Sequence, residues 1–129
     1  MLRKPLRPFL LLLSLVITAS AQTNPAVQTV ADLAQKAEAA YPSKHFADSA
    51  GLYVQAIQQQ ILLQAEPSDR NGVEYNAACS FALAGDKDDT ILWLSRAIED
   101  GFLDLQHTST DADLTTLHTD PRWATLLIA

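Results

Sequence analysis

Few residues of this chain have the chemistry and the spacing that a reaction requires. Its histidines are His45, His107 and His118. None of them is followed four residues later by a second histidine or by a cysteine, whereas a structural zinc ion takes about four such ligands. The sequence therefore predicts histidines that are solvated or that cap helices, and it predicts no metal site.

The acidic run Asp86–Asp89 has the spacing with which a calcium-binding loop begins. Such a loop also needs glycine at its sixth position and glutamate at its twelfth. Those two positions hold Ile91 and Ala97 in this chain. We therefore interpret the run as the start of a helix, where the helix dipole favours acidic side chains.

Nucleophilic and acid–base chemistry also lacks support in the sequence. Cys79 and Ser80 are adjacent, but no G-x-S-x-G turn surrounds them. The apolar neighbours of Cys79 are expected to raise its thiol pKa, which favours a packed core cysteine. Asp111 and Asp113 stand next to a turn, where a solvated helix cap is a simpler interpretation than an acid–base pair. Since no glycine-rich phosphate loop is present either, we expect no enzyme and no cofactor.

Composition restricts the class of protein further. The 129 residues suit one domain, and a single cysteine excludes an intrachain disulfide. Lys and Arg total 9 against 15 Asp and Glu, which gives a formal charge of −6. An acidic chain is a poor match for duplex DNA or for an anionic lipid surface. The sequence therefore predicts no nucleic-acid partner.

Residues 1–21 have the three-part layout of a secretory signal peptide. Basic residues come first, an apolar run extends from Phe9 to Ile17, and Ala19-Ser20-Ala21 supplies the small residues of a cleavage site. The alternative is a membrane anchor, but this run is about half of the roughly 20 apolar residues that a spanning helix needs. We expect cleavage after Ala21, a periplasmic or secreted protein, and no stable membrane insertion afterwards.

The rest of the chain is predicted to be all-α. Apolar residues recur every three or four positions, and no stretch alternates with a period of two. A first helix is expected over residues 29–40 and ends before Pro42. A second begins at Ser43 as its N-cap and is stopped by Pro67. Residues 66–72 are predicted to be a turn-rich linker.

Two further helices follow in the prediction. One covers residues 73–84, and Gly85 fits the position just after its end. The other begins in the acidic run at 86–89 and is closed by Gly101. Together with the two earlier helices they predict two helical hairpins.

The C-terminal tail is predicted to dock onto the helix that precedes it. Thr110 or Asp111 would cap one short helix, and Asp120 followed by Pro121 would begin another. The tail's large apolar residues are Leu114, Leu117, Trp123, Leu126 and Leu127. A frayed terminus is the alternative, but a disordered tail has no need to bury such side chains. We expect Trp123 to be the main anchor.

Equivalent positions recur in the second and fourth predicted helices. The pairs that align are Ser49 with Thr90, Tyr53 with Leu94, and Ala56 with Ala97. In the third helix Ala78 and Phe81 lie three residues apart, shortly before Gly85. This pattern resembles a tetratricopeptide repeat, in which a small residue and an aromatic at that spacing seat helix A against helix B.

The resemblance extends over residues 30–128. The segment from Tyr75 to Asp86 resembles the last repeat of bacterial tetratricopeptide proteins, and the series Gly101-Phe102, 110–114 and 120–123 resembles the family's C-terminal cap. It implies a short right-handed superhelix of two helix-turn-helix hairpins and a cap of short helices. The implied units are repeat one at about 30–65, the linker at 66–72, repeat two at about 73–101 and the cap at 102–129.

For function, the resemblance implies an exported scaffold that binds another protein or a peptide segment and catalyses no reaction. Tyr75, Asn76, Cys79 and Leu83 would face the inner groove. Asn76 could hold a peptide backbone there, because its amide donates and accepts at once; alternatively it only ties one helix to the next. Two other readings of the protein stay open: an accessory domain or subunit of a separately encoded envelope or secreted enzyme, and a structural component of the envelope.

Overall fold

A computed structural model describes residues 24–128, and every regular element in that range is a helix. The helices are α1 (Pro25–Ala40), α2 (Phe46–Leu62), α3 (Pro67–Leu83), α4 (Lys87–Glu99), α5 (Leu105–Thr110), a 3₁₀ helix (Ala112–Leu117) and α6 (Pro121–Leu126). The all-α prediction is confirmed. The expected signal peptide at 1–21 lies outside the described residues. Within them, no helix is long and apolar enough to cross a bilayer.

The four long helices pack in the order of the chain. Helix α1 packs against α2, α2 against α3, and α3 against α4, and the 3₁₀ helix of the tail also lies on α3. Helix α3 is therefore the central element, and its buried side chains fall on several of its sides. These buried residues are Glu74, Tyr75, Ala77, Ala78, Cys79, Ser80 and Ala82. Since most of them are small, neighbouring helices can approach closely.

The positions aligned between α2 and α4 are all buried. Ser49, Ala56, Thr90, Leu94 and Ala97 have no exposed surface. Ser49 also connects three helices, because its hydroxyl donates to the Ala37 carbonyl at 2.9 Å and lies 3.2 Å from the Ser80 hydroxyl. A buried hydroxyl without a partner would be unfavourable, so these contacts allow a polar residue where α1, α2 and α3 meet.

Local end signals placed several helix boundaries correctly. Asp86 accepts a hydrogen bond from the Asp89 N–H and begins α4, and Asp120 accepts one from Arg122 N–H ahead of Pro121. Gly85 has a φ of +84°, which is the left-handed conformation that glycine adopts easily after a helix. Asp111, one of two expected caps, starts the 3₁₀ helix. Ser43 is not the N-cap of α2; that position belongs to His45, whose side chain makes no capping hydrogen bond.

The predicted linker at 66–72 is wrong, because Pro67 begins α3 rather than ending α2. Proline fits the first turn of a helix, where its missing N–H is not needed. The Arg70 guanidinium donates to the Asp100 carboxylate at 2.8 Å, and the Asn71 amide donates to the Asp100 carbonyl at 3.1 Å. These bonds hold the first turns of α3 against the end of α4. The aligned alanines, Ala56 and Ala97, are 41 residues apart, whereas the repeat that the sequence resembles has a period of about 34. The difference lies within α2 and α3, which have 17 residues each.

The tail docks as expected, although its anchoring is shared between two helices. Helix α6 packs against α4, and Trp123 is only 7% exposed. Leu114 and Leu117 of the 3₁₀ helix are completely buried, and that helix lies on α3. The exposed ion pair of Arg122 with Asp88, at 2.7 Å, adds little, since water and salt screen charges on the surface. Apolar burial, together with the hydrogen bonds that Tyr41 and Tyr75 donate to Asp113 and Asp111, therefore holds the tail in place.

Candidate binding cavity

A cavity of about 330 Å³ opens where α1, α2 and α3 meet the tail. Its lining residues are aromatic or polar, and they come from five elements or the turns beside them. They are Glu38, Tyr41, Tyr53, Tyr75, Asn76, Cys79, Ser80, His107, Asp111 and Asp113. Its size is at the small end of ligand pockets, which measure about 300–1,000 Å³.

Asp111 is the central acceptor of this cavity. One carboxylate oxygen, Oδ1, accepts the Asp113 N–H at 3.0 Å and so caps the 3₁₀ helix. The other oxygen, Oδ2, accepts the Tyr75 hydroxyl at 2.7 Å and lies 3.4 Å from His107 Nε2. The Cys79 thiol points to the same oxygen at 3.8 Å. The need to cap a helix thus fixes the orientation that presents Oδ2 to the cavity.

Two tyrosines are held by aromatic neighbours as well as by carboxylates. Tyr41 follows α1 and donates its hydroxyl to Asp113, which joins the first helix to the tail. Its ring packs edge-on against Phe46, with centroids 5.3 Å apart. Tyr75 stacks on Phe102 at 4.2 Å and an angle of 12°. Each ring therefore has both an aromatic neighbour and a carboxylate partner.

Burial and the neighbouring carboxylates favour the protonated forms of two tyrosines and the cysteine in the cavity. Burial raises the pKa of both tyrosine hydroxyls above the ordinary value. The hydrogen bond to Asp113 raises the pKa of Tyr41 further, and the hydrogen bond to Asp111 does the same for Tyr75. Burial, followed by the charges of the same two carboxylates, raises the pKa of the Cys79 thiol. Cys79 is 5% exposed and packs in the hydrophobic core, so the expectation of a packed core cysteine is confirmed. At neutral pH these groups are donors, and a thiol that keeps its proton is a poor nucleophile.

Three potential metal ligands lie close together in the same place. Cys79 Sγ and one oxygen from each of Asp111 and Asp113 are within 4.8 Å of one another. Sequence reasoning missed this group, and it also overlooked that Asp111 follows His107 by four residues. Both carboxylates also accept tyrosine hydroxyls, so the group is better suited to hydrogen bonding than to holding zinc.

The four residues expected in the inner groove divide between two places. Tyr75, Asn76 and Cys79 line the cavity. Leu83 lies one turn beyond Cys79, and it lines a separate depression beside the α1–α2 turn. Tyr75 and Cys79 are each 5% exposed, whereas Asn76 is exposed. The only one of the four that presents a free side chain to solvent beside the cavity is therefore Asn76.

A second group of ionisable side chains lies where α3 meets the end of α4. Glu74 is buried, and its Oε2 atom has no hydrogen-bond partner among the described residues. Arg70 Nε lies 3.9 Å from its other oxygen, and Arg70 also binds Asp100. Burial first, and then the Asp100 carboxylate, raises the pKa of Glu74 to about 7, although Arg70 and Arg96 act in the opposite direction.

Glu74→Gln should stabilise the protein at pH 8 and have little effect near pH 4. The pKa of Glu74 is raised above its ordinary 4.5, so the folded state binds its proton more tightly than the unfolded state. The contribution of this proton to the free energy of unfolding is fully present below pH 4.5 and is lost as the pH rises through about 7. We expect a gain on the order of 2 kcal/mol at pH 8, measured by urea unfolding at both pH values. Glu99→Gln, on the exposed side of α4, is the matched control; equal effects of the two variants would contradict the prediction.

No protein-family model, no curated protein and no solved structure matches the chain. Any functional assignment must therefore rest on the cavity and on the sequence pattern.

Proposed function

We propose that the chain is an exported protein-interaction module of the tetratricopeptide type, which binds a peptide segment of another protein and performs no reaction itself. The observation that carries this proposal is the cavity beside α3, with fixed tyrosines and carboxylates in its wall and the exposed amide of Asn76 next to it. Such an amide can hold an extended backbone, because it donates and accepts.

Helix packing supports the repeat interpretation. Two hairpins, α1 with α2 and α3 with α4, pack in chain order through α2 and α3. The small and large residues that align between α2 and α4 are buried in both. A terminal segment of different character lies on α3 and α4, as expected of a capped repeat array. A short right-handed superhelix of two repeats is the arrangement we propose.

The chemistry of the cavity favours binding over catalysis. The Cys79 thiol keeps its proton, so it is not an activated nucleophile. Asp111 and Asp113 accept hydrogen bonds from Tyr75 and Tyr41, whose own pKa values are raised, so these two phenols do not exchange protons near neutral pH. Export to the periplasm or medium is proposed from residues 1–21 alone.

Site-specific photo-crosslinking in the producing cells would test this function. A photoreactive residue in place of Asn76 should capture the same partner protein repeatedly. The matched control carries that residue in place of Gln55, which is exposed on α2 and does not line the cavity. Equal capture at both positions, or none at Asn76, would contradict the proposal. If crosslinking at position 76 captures one enzyme in an amount equal to that of this chain, the accessory-subunit alternative would be favoured.

A further inference from the structure

We propose that the cavity accepts the basic side chain of a lysine or arginine in the partner peptide, an inference that rests on the proposed peptide-binding function. The first argument is charge. Glu38, Asp111 and Asp113 line the cavity, and no lysine or arginine is among its described lining residues. His107 is the one lining residue that can become positive, and it already lies beside Asp111.

The second argument is the spacing of the carboxylates. Oxygens of Asp111 and Asp113 lie within 4.8 Å of each other. Two negative charges at this distance repel, and the repulsion grows where water is partly excluded. The hydroxyls of Tyr75 and Tyr41 donate to them but carry no charge. A cation that entered the cavity would remove this repulsion and complete the set of hydrogen bonds.

The third argument is an unused hydroxyl. Tyr53 is only 5% exposed and lines the cavity, and its hydroxyl has no hydrogen-bond partner within residues 24–128. This oxygen is not sealed from solvent, so it reaches the open space of the cavity and can accept a hydrogen bond there. An ammonium group has three donors and no acceptor, so the Tyr53 oxygen and the two carboxylates together offer what it needs. This oxygen is independent of the acidic pair, yet it faces the same space.

The walls suit the rest of a basic side chain. Tyr41, Tyr53 and Tyr75 supply aromatic surface, which attracts a cation and also packs against its aliphatic stem. A volume of about 330 Å³ accommodates a side chain rather than a folded domain. Asn76, next to Tyr75 in α3, would hold the backbone that carries the side chain.

Matched peptides would test the inference on the purified full chain. Four capped pentapeptides differ only at the central residue, which is lysine, arginine, norleucine or glutamate. We expect the lysine or the arginine peptide to shift the amide resonances of Tyr75, Asn76 and Cys79, with binding that weakens as salt is raised. The norleucine and glutamate peptides should leave those resonances unchanged.

Two variants connect binding to the proposed contacts. Tyr53→Phe removes only the unpartnered hydroxyl, and Glu38→Gln removes one exposed charge, so both should fold. Each is expected to weaken binding of the basic peptide about threefold to tenfold, the range of one hydrogen bond or charge contact. Asp69→Asn, an exposed acid at the start of α3, is the control and should not weaken it.

The outcomes separate this inference from the function on which it rests. Equal binding of norleucine and lysine peptides would overturn the basic anchor while the peptide-binding function stands. The basic anchor would also be overturned, and the peptide-binding function would stand, if crosslinking at position 76 captures a partner but none of the four peptides shifts the resonances. Zn²⁺ alone is a further probe: if it shifts Cys79 and Asp111 and no basic peptide does, a metal site replaces the proposal. Failure of crosslinking at Asn76 would instead remove the proposed function.

Discussion

Trp123→Ala is expected to lower the free energy of unfolding by about 3–5 kcal/mol, the usual effect of removing a buried tryptophan side chain. Trp123 is 7% exposed, its ring lies 4.8 Å from that of His118, and its helix packs on α4. Domains have only about 5–15 kcal/mol of stability in total. The variant should therefore melt at a markedly lower temperature, measured by circular dichroism.

Ile128→Ala provides the control in the same tail. Ile128 is 84% exposed, so its truncation should leave the melting temperature nearly unchanged. Removing residues 120–129 should act like Trp123→Ala and should also increase the binding of a dye that reports apolar surface. If the truncated chain stays monomeric and melts like the full chain, α6 is not a cap, and Trp123 would be better explained as an anchor for a partner.

The cap covers α4 only in part. A second cavity of about 330 Å³ remains between α4 and α6, and Ile91, Ile98 and Leu126 line it. Loss of α6 would open this space completely to solvent. The increase in dye binding should therefore come from α4, and replacing Ile91 with serine in the truncated chain should reduce it.

Local signals in the sequence were sufficient for several helix boundaries. Asp86, Gly85 and the Asp120-Pro121 pair act through their own backbone, so their effect is the same in any fold. Pro67 shows where such signals fail. Proline both ends a helix and begins one. Here the first turns of α3 are held by contacts with Asp100, far along the chain, and by hydrogen bonds with Gln60 and Ala65.

The short helix α5 was also missed, for a related reason. Its sequence, LQHTST, is rich in residues with low helix propensity. Asp104 caps it by accepting the His107 N–H at 2.9 Å, and Thr108 is completely buried. Tertiary packing, which a local pattern does not contain, stabilises this turn. The same helix places His107 in the wall of the cavity.

The candidate site was predicted only on the helix that contributes most to it. Tyr75 and Cys79 are one helical turn apart, so the sequence placed them on one face of α3. Tyr41 and Asp113 are 72 residues apart, and no local pattern pairs them. Asp111 caps the 3₁₀ helix as expected, whereas Asp113 lies in the first turn of that helix. Their place in the cavity depends on the packing of this helix on α3, which the local sequence does not contain.

Ala78→Leu should destabilise the fold by about 3 kcal/mol, at the upper end of the usual effect of overpacking. Ala78 has no exposed surface, and its helix is packed by α2, by α4 and by the tail. A larger side chain would have to push one of these elements away, because protein interiors are close-packed. The proposed repeat alignment also requires a small residue at Ala78, so this prediction tests that alignment as well.

Ala39→Leu is the matched substitution, since Ala39 is exposed on α1 and the change adds the same atoms. It should alter the melting temperature little, because leucine and alanine are both good helix formers. Urea unfolding would compare the free energies of unfolding of the two variants. The comparison is direct when both show the same slope of free energy against urea concentration. If Ala78→Leu melts like Ala39→Leu, α3 does not sit tightly between its neighbours, and the alignment that makes Ala78 a repeat position must be abandoned. A large difference would support the close approach of helices on which the cavity depends, since α3 holds Tyr75, Asn76 and Cys79 in place.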